Sequence, residues 1–182
     1  MSVCARRFGI VQKFRAKNDP RYYLKGTYLE KLERGVAIVA TNGVCMAVCI
    51  DERGSMDRKS VIVPPIPEAH LKHSNDVNVD GDVAVVTATG GFKLYVSPND
   101  YVDGQYPNYR KVIPQSAEIG LNAPVDTSIL KLVLGIAGGV QFFTSGPSVL
   151  ATYDQLPELL VLIAGRCMKS DIAQAIQTAT RF

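Results

Sequence analysis

Seven cations fall within the first 25 residues: Arg6, Arg7, Lys13, Arg15, Lys17, Arg21 and Lys25, against one acid, Asp19. Guanidinium and ammonium groups at that density can neutralise phosphates, so a polyanion partner, nucleic acid first among them, is one reading. A solvated helix face is the other, and charge alone does not choose between them. A second passage with chemical character is "QYPNYRKVIP", residues 105–114. It combines two tyrosines, two prolines, an Arg-Lys pair and a Val-Ile pair, which suits either a connector or a docking surface.

Other reactive residue types point away from chemistry. Cys4, Cys45, Cys49 and Cys167 form no CxxC pair. Cys45 and Cys49 stand four apart in a strand-like apolar run and so share one face; they read as reduced core residues. His70 and His73 have i, i+3 spacing in "PEAHLKH", but no third ligand stands nearby, so surface histidines on a short helix are expected rather than a metal site. No GxSxG, GxxxxGK[ST] or HExxH is present. The adjacent glycines of "TATGGFK" fall in a hairpin context rather than before a helix. Neither a catalytic constellation nor a cofactor or metal is expected, which favours a binding or scaffold role.

The elements that must position these residues follow from periodicity. Phe8, Val11 and Phe14 recur at steps of three with Ile10 alongside, so residues 4–19 read as a helix with the cations on its remaining positions. Residues 21–51 read as two or three strands, "YYLKGTYLEKL", "GVAIVA" and "VCMAVCI", with "ERG" and "TNG" as turns. "SVIVP" is a short buried strand, and "IPEAHLKHS" a short helix opened by proline. Residues 76–98 alternate as a three-stranded meander. Residues 99–116 form an irregular connector. "AEIGLN" is a strand, and residues 123–138 a helix with Pro124 near its start and Asp126 or Thr127 as cap. "GVQFFTS", "SVLATYD" and "ELLVLIAG" are three further strands, and residues 169–182 a last helix. The fold class is therefore α+β, built from about three helix-plus-meander units near residues 4–50, 60–97 and 117–165, related in pattern rather than identity.

Composition fits that picture. The 182 residues are 47% hydrophobic and 20% charged, with net charge +3, enough for one domain or a domain and a half. No apolar run approaches the length of a membrane span, and the N-terminus lacks the apolar core of a secretory signal. An intracellular, cytoplasmic protein is expected.

Several blocks together resemble the bacterial sliding clamp, the beta subunit of DNA polymerase III. "RYYLKGTYLE", "VAIVATNGVCMAVCID", "KSVIVP" and "DGQYPNYRKVIP" occur in the family's order over residues 5–114. Residues 1–114 then resemble the clamp's middle domain and residues 115–168 the end of its last domain, leaving 169–182 as a C-terminal helix; the first domain is missing. The short length suggests a reduced, divergent, phage-encoded version. Departures stand at "TNGVCM", where the family has "TDGHRL", and at "YRKV" for "YRRV".

What the resemblance implies is a DNA-clamp fold with helices on one face, no enzymatic activity, and two sites. Cations on the inner helices would contact duplex DNA loosely and without base reading, close to a nucleoid-associated role: Arg6, Arg7, Lys13 and Arg15, with Lys131 and Lys169. A peptide groove for a DNA polymerase or other replication protein would be walled by Leu24, Thr41, Gly43, Val44, Met46, Pro107, Lys111 and Val112. The family ring holds about twelve such units, so a chain of three, or of four if the last helix starts another, would close only as a homo-oligomer, a tetramer or a trimer. The alternative is a clamp-fold interaction protein that binds a polymerase or a host clamp without encircling DNA.

Overall fold

The computed structural model describes residues 1–80, 83–88, 93–98 and 104–165. The expected helix at 169–182, with Lys169 and Cys167, lies outside the described residues. Among the described residues one pattern occurs three times: a short strand, a helix, then three antiparallel strands. Unit one contains β1 (Ser2–Cys4), α1 (Ala5–Val11), β2 (Thr27–Lys31), β3 (Val36–Thr41) and β4 (Cys45–Asp51). Unit two contains β5 (Ser60–Val63), α2 (Glu68–Leu71), β6 (Ser74–Asp80), β7 (Val83–Ala88) and β8 (Lys93–Pro98). Unit three contains β9 (Glu118–Ile119), α3 (Thr127–Leu134), β10 (Val140–Ser145), β11 (Ser148–Tyr153) and β12 (Leu159–Ile163). The α+β class and the three meanders match the expectation from the sequence.

Two sheets result. One is four-stranded, ordered β1-β6-β7-β8; the other is eight-stranded, ordered β5-β2-β3-β4-β12-β11-β10-β9. The large sheet runs without interruption from unit one into unit three through the antiparallel seam of β4 with β12, where Cys45 faces Ile163, Met46 faces Leu162 and Ala47 faces Val161.

Central strands are covered on both faces, which explains their continuous apolar runs. On one face, Val36, Ile38, Ala40, Cys45, Ala47, Cys49, Val161 and Ile163 pack with Phe8 and Val11 of α1, Leu71 of α2, and Ile129 and Val133 of α3. The three helices of the described residues thus share that side. On the other face, Val39, Met46, Val48, Leu150 and Leu162 pack under Leu24, Tyr106 and Tyr109. Each fully buried large side chain, such as Phe8 or Leu29, contributes about 1.5–3 kcal/mol.

Several elements differ from the sequence expectation; the helix expected over 123–138, for one, spans only Thr127–Leu134. The first helix ends at Val11 and tightens into a single 3-10 turn, Gln12–Phe14; the stripe of Phe8, Val11 and Phe14 persists through it with no exposure. Burying Phe14 from a tighter turn keeps the stripe aligned, because 3-10 residues three apart eclipse. "YYLK" is also a 3-10 turn, Tyr22–Lys25, and not a strand. "AEIGLN" shortens to the two residues of β9. The cap of α3 is Asp126, whose Oδ1 accepts from the Ser128 N–H at 2.9 Å.

Candidate binding groove and cationic helix face

The 105–114 passage docks onto the sheet face away from the helices. Tyr106 stacks on Tyr28 of β2, ring centroids 4.7 Å apart and 5° from parallel. The Tyr109 hydroxyl donates to Glu30 Oε2 at 2.8 Å, Arg110 donates to the same oxygen at 2.6 Å, and the Arg110 guanidinium lies 4.6 Å over the Tyr109 ring. Burial and the neighbouring Glu30 carboxylate both raise the Tyr109 phenol above its ordinary range. The connector is therefore pinned, with Pro107, Asn108, Lys111 and Val112 left at its surface.

A cleft of about 250 Å³ opens between this connector and the β3–β4 hairpin. Seven of the eight residues expected at a groove, Leu24, Thr41, Gly43, Val44, Met46, Pro107 and Val112, border it; Lys111 does not. Leu24 and Met46 are buried in its floor, while Val44 and Val112 stand exposed at its rim. The hairpin is shaped by Asn42, whose Oδ1 accepts from the backbone N–H of Val44 at 2.9 Å and of Cys45 at 2.8 Å. Gly43 adopts φ +86° there, a region costly for any residue with a Cβ.

Sequence reasoning missed seven lining residues: Arg21, Cys45, Tyr106, Asn108, Tyr109, Leu162 and Ala164. Leu162 comes from unit three and enters the floor because β12 pairs with β4, and the Ala164 N–H donates to the Val44 carbonyl at 2.8 Å. Nothing local in the sequence announces that seam. Arg21 was counted only among the N-terminal cations. It is fixed by Asp19, which accepts from Arg21 Nε at 2.9 Å and Nη2 at 2.8 Å; those bonds hold the Asp19 carboxyl down to about 2.

The N-terminal cations divide. Arg7 is withdrawn from the surface: Nη1 binds Asp51 Oδ1 at 2.7 Å and Nη2 binds Glu158 Oε1 at 2.8 Å. Asp51 also accepts from the Cys4 N–H at 2.6 Å, and is itself 1% exposed. Arg7 therefore ties α1 to β4 and to the β12 approach, a structural duty that the sequence reading did not foresee. Arg15 is half-buried, with Nη1 donating to the Gln12 carbonyl at 3.1 Å, and loss of solvent lowers its pKa. Lys13 pairs with Glu68 at 3.0 Å, both largely exposed. Arg6 and Lys131 are exposed. Two clefts lie on this side: Arg6, Lys13 and Lys72 border one between α1 and α2, and Lys13, Arg15 and Lys17 border another reaching Leu132 of α3.

Cys45 and Cys49 are buried and unpaired, and burial pushes their thiols up to about 11 and about 12. Among the described residues no three His, Cys, Asp or Glu side chains gather as a metal site, and no helix is long and apolar enough to cross a membrane.

No family model matches the chain. Its sequence is similar to the beta sliding clamp of Escherichia coli K12, 33% identical over 116 residues that take in 61% of this chain and 31% of that protein. The beta sliding clamp of Pseudomonas aeruginosa is 35% identical over 111 residues, 57% of this chain and 29% of that protein. Among solved structures, DNA polymerase III subunit beta from Borrelia burgdorferi superimposes with TM-score 0.71 at 12% identity, covering 92% of this chain and 64% of that one. The Helicobacter pylori beta clamp bound to a DNA ligase peptide gives 0.66 at 13% identity, covering 92% and 66%. The fold is that of the DNA clamps. The chain spans about a third of the length of the curated relatives it matches.

Proposed function

We propose, for a chain whose sequence and fold make it a divergent relative of the bacterial beta sliding clamps, a non-enzymatic role as a processivity module. In this reading the cleft takes a short apolar-anchored peptide from a polymerase or another replication protein, and the helix face rides on duplex DNA in a homo-oligomer. The observation that carries the first half is the convergence of Leu24, Met46, Pro107 and Val112 with Leu162, from four separate segments, on one apolar-floored cleft. A few buried apolar anchors suffice for such recognition.

The DNA half rests on Arg6, Lys13, Arg15, Lys17, Lys72 and Lys131 lying along the helix side. Contacts of this kind are made to phosphates, fall steeply with salt and leave the protein free to slide. Four chains of three units supply the twelve of the family ring. Lys169 belongs to the same proposal by its position in the sequence.

A second reading, a clamp-fold interaction protein that does not encircle DNA, draws on the internal pairing of Arg7 and the Lys13–Glu68 contact, which thin the free positive charge. Two assays test the proposal. A fluorescent peptide with two apolar anchors should bind the wild type and lose at least tenfold in affinity with Val44→Glu plus Val112→Glu, both exposed and so tolerated by the fold. The oligomer should remain on circular duplex and run off linear duplex; equal, fleeting binding to both would favour the second reading.

A further inference from the structure

The connector at 105–114 has a second flank. Residues 106–109 wall the apolar cleft on one side, and on the other they wall a larger cleft of about 830 Å³. This second cleft lies over β5 and β2, whereas the first lies over β3, β4 and β12. Its floor includes Ile62, which is buried, and Tyr28, whose ring stacks on Tyr106. Tyr28 and Ile62 share one face of the sheet with Met46 and Leu162, the floor of the first cleft. The two clefts are therefore neighbours on that face, parted by a single crossing of backbone.

Their linings differ in chemistry. Where the first is floored by Leu24, Met46 and Leu162, the second is bordered by Glu30, Arg58, Lys59 and Arg110. Glu30 and Arg110 pair at 2.6 Å, and the same Glu30 oxygen accepts from Tyr109. That pair holds the connector down and contributes no net charge. Arg58 and Lys59 stand exposed on the loop that leads into β5. Among the described residues the second cleft thus carries an excess of positive charge. It lies on the sheet face away from the helices, so it is no continuation of the cationic helix side.

We infer, resting on the groove reading proposed above, that the second cleft holds an acidic stretch of aspartates or glutamates in the same guest peptide whose apolar anchors fill the first. Charge complementarity names the class: carboxylates beside Arg58 and Lys59 are favoured, and a basic flank is repelled. Reach permits it, since about three residues of extended chain, at roughly 3.3 Å each, cross one backbone. Exposed ion pairs contribute modestly. The anchors therefore supply most of the affinity, and the acids select among guests that share those anchors.

The test is fluorescence anisotropy of the full chain with three labelled peptides that share two apolar anchors. One has serine flanks, one has a run of aspartates about three residues after the anchors, and one has the same run about three residues before them. At low salt one acidic peptide should bind about fivefold tighter than the serine peptide, and the gain should fade in roughly 0.5 M salt. Arg58→Ser plus Lys59→Ser should abolish the gain and leave serine-peptide affinity unchanged. Arg34→Ser plus Arg53→Ser, exposed and outside both clefts, removes the same charge and should keep the gain. Serine-peptide binding with no gain from either acidic flank overturns the inference and leaves the groove reading standing. So does a gain that survives loss of Arg58 and Lys59, or one that the control variant also loses. Loss of the gain alone on adding short duplex DNA would assign these cations to phosphates and overturn it too. Binding of none of the three peptides overturns both readings.

Discussion

Arg21 lies across Gly43. A Cβ added at residue 43 would stand 2.9 Å from Arg21 Nη2, and the glycine's φ of +86° suits no side chain. The pair sets the mouth of the cleft, with the guanidinium held by Asp19 on one side and the hairpin backbone on the other. Gly43→Ala should therefore lower stability by about 1 kcal/mol and displace Arg21. Calorimetry reads the first effect and peptide titration the second. Unchanged peptide affinity would mean that the mouth does not contact the guest.

Arg7 and Arg6 are neighbours with opposite duties. Arg7→Met strands the buried Asp51 carboxylate and should destabilise the protein by about 3–5 kcal/mol, with the salt dependence of DNA binding unaltered at temperatures where it stays folded. Arg6→Ala should leave the melting curve in place and shallow the slope of log affinity against log salt by roughly one. Equal effects of both on the slope would place Arg7 at the DNA after all.

The seam between β4 and β12 makes unit three part of the same cooperative structure as unit one. Leu159, 1% exposed and opposite Cys49, is a direct probe. Leu159→Ala should cost about 2–5 kcal/mol and lower a single unfolding transition. Two separated transitions in denaturant would show that the units fold independently.

Alkali should loosen the core. Burial raises the thiols of Cys45 and Cys49 above their unfolded value of about 8.5, to about 11 and about 12. The neutral thiol is the form the fold accepts, so its contribution is complete below about pH 8.5 and declines as pH rises toward the folded values. Stability measured from pH 7 to 10 should fall, and the fall should shrink in Cys45→Ala plus Cys49→Ala. Both wild-type thiols should resist alkylation at pH 8 until denaturant is added.

Much of this architecture was legible in the sequence because its signals are local. Alternation gave the meanders, "TNG" gave the hairpin that holds Asn42 and Gly43, and Asp126 and Thr127 together marked the start of α3, the structure choosing Asp126 as the cap. The groove residues came from motif order rather than from periodicity. What stayed hidden was non-local. Leu162 reads as one more apolar strand residue until β12 lies beside β4. Arg7 reads like Arg6 until Asp51 and Glu158, 44 and 151 residues away, converge on it. The 3-10 turn at Tyr22–Lys25 overrode β propensity because Leu24 finds its burial under the connector rather than in a ladder.

Met46 and Leu162, from opposite ends of the chain's order, face each other across one ladder of the sheet. The floor of the cleft is thus gauged by the spacing of adjacent strands, about 4.8 Å, and not by a hinge between bodies that swing. In the proposed role, a guest would meet a seat already cut to width, spend little of its contact energy on reshaping the host, and be selected by fit at the moment of encounter.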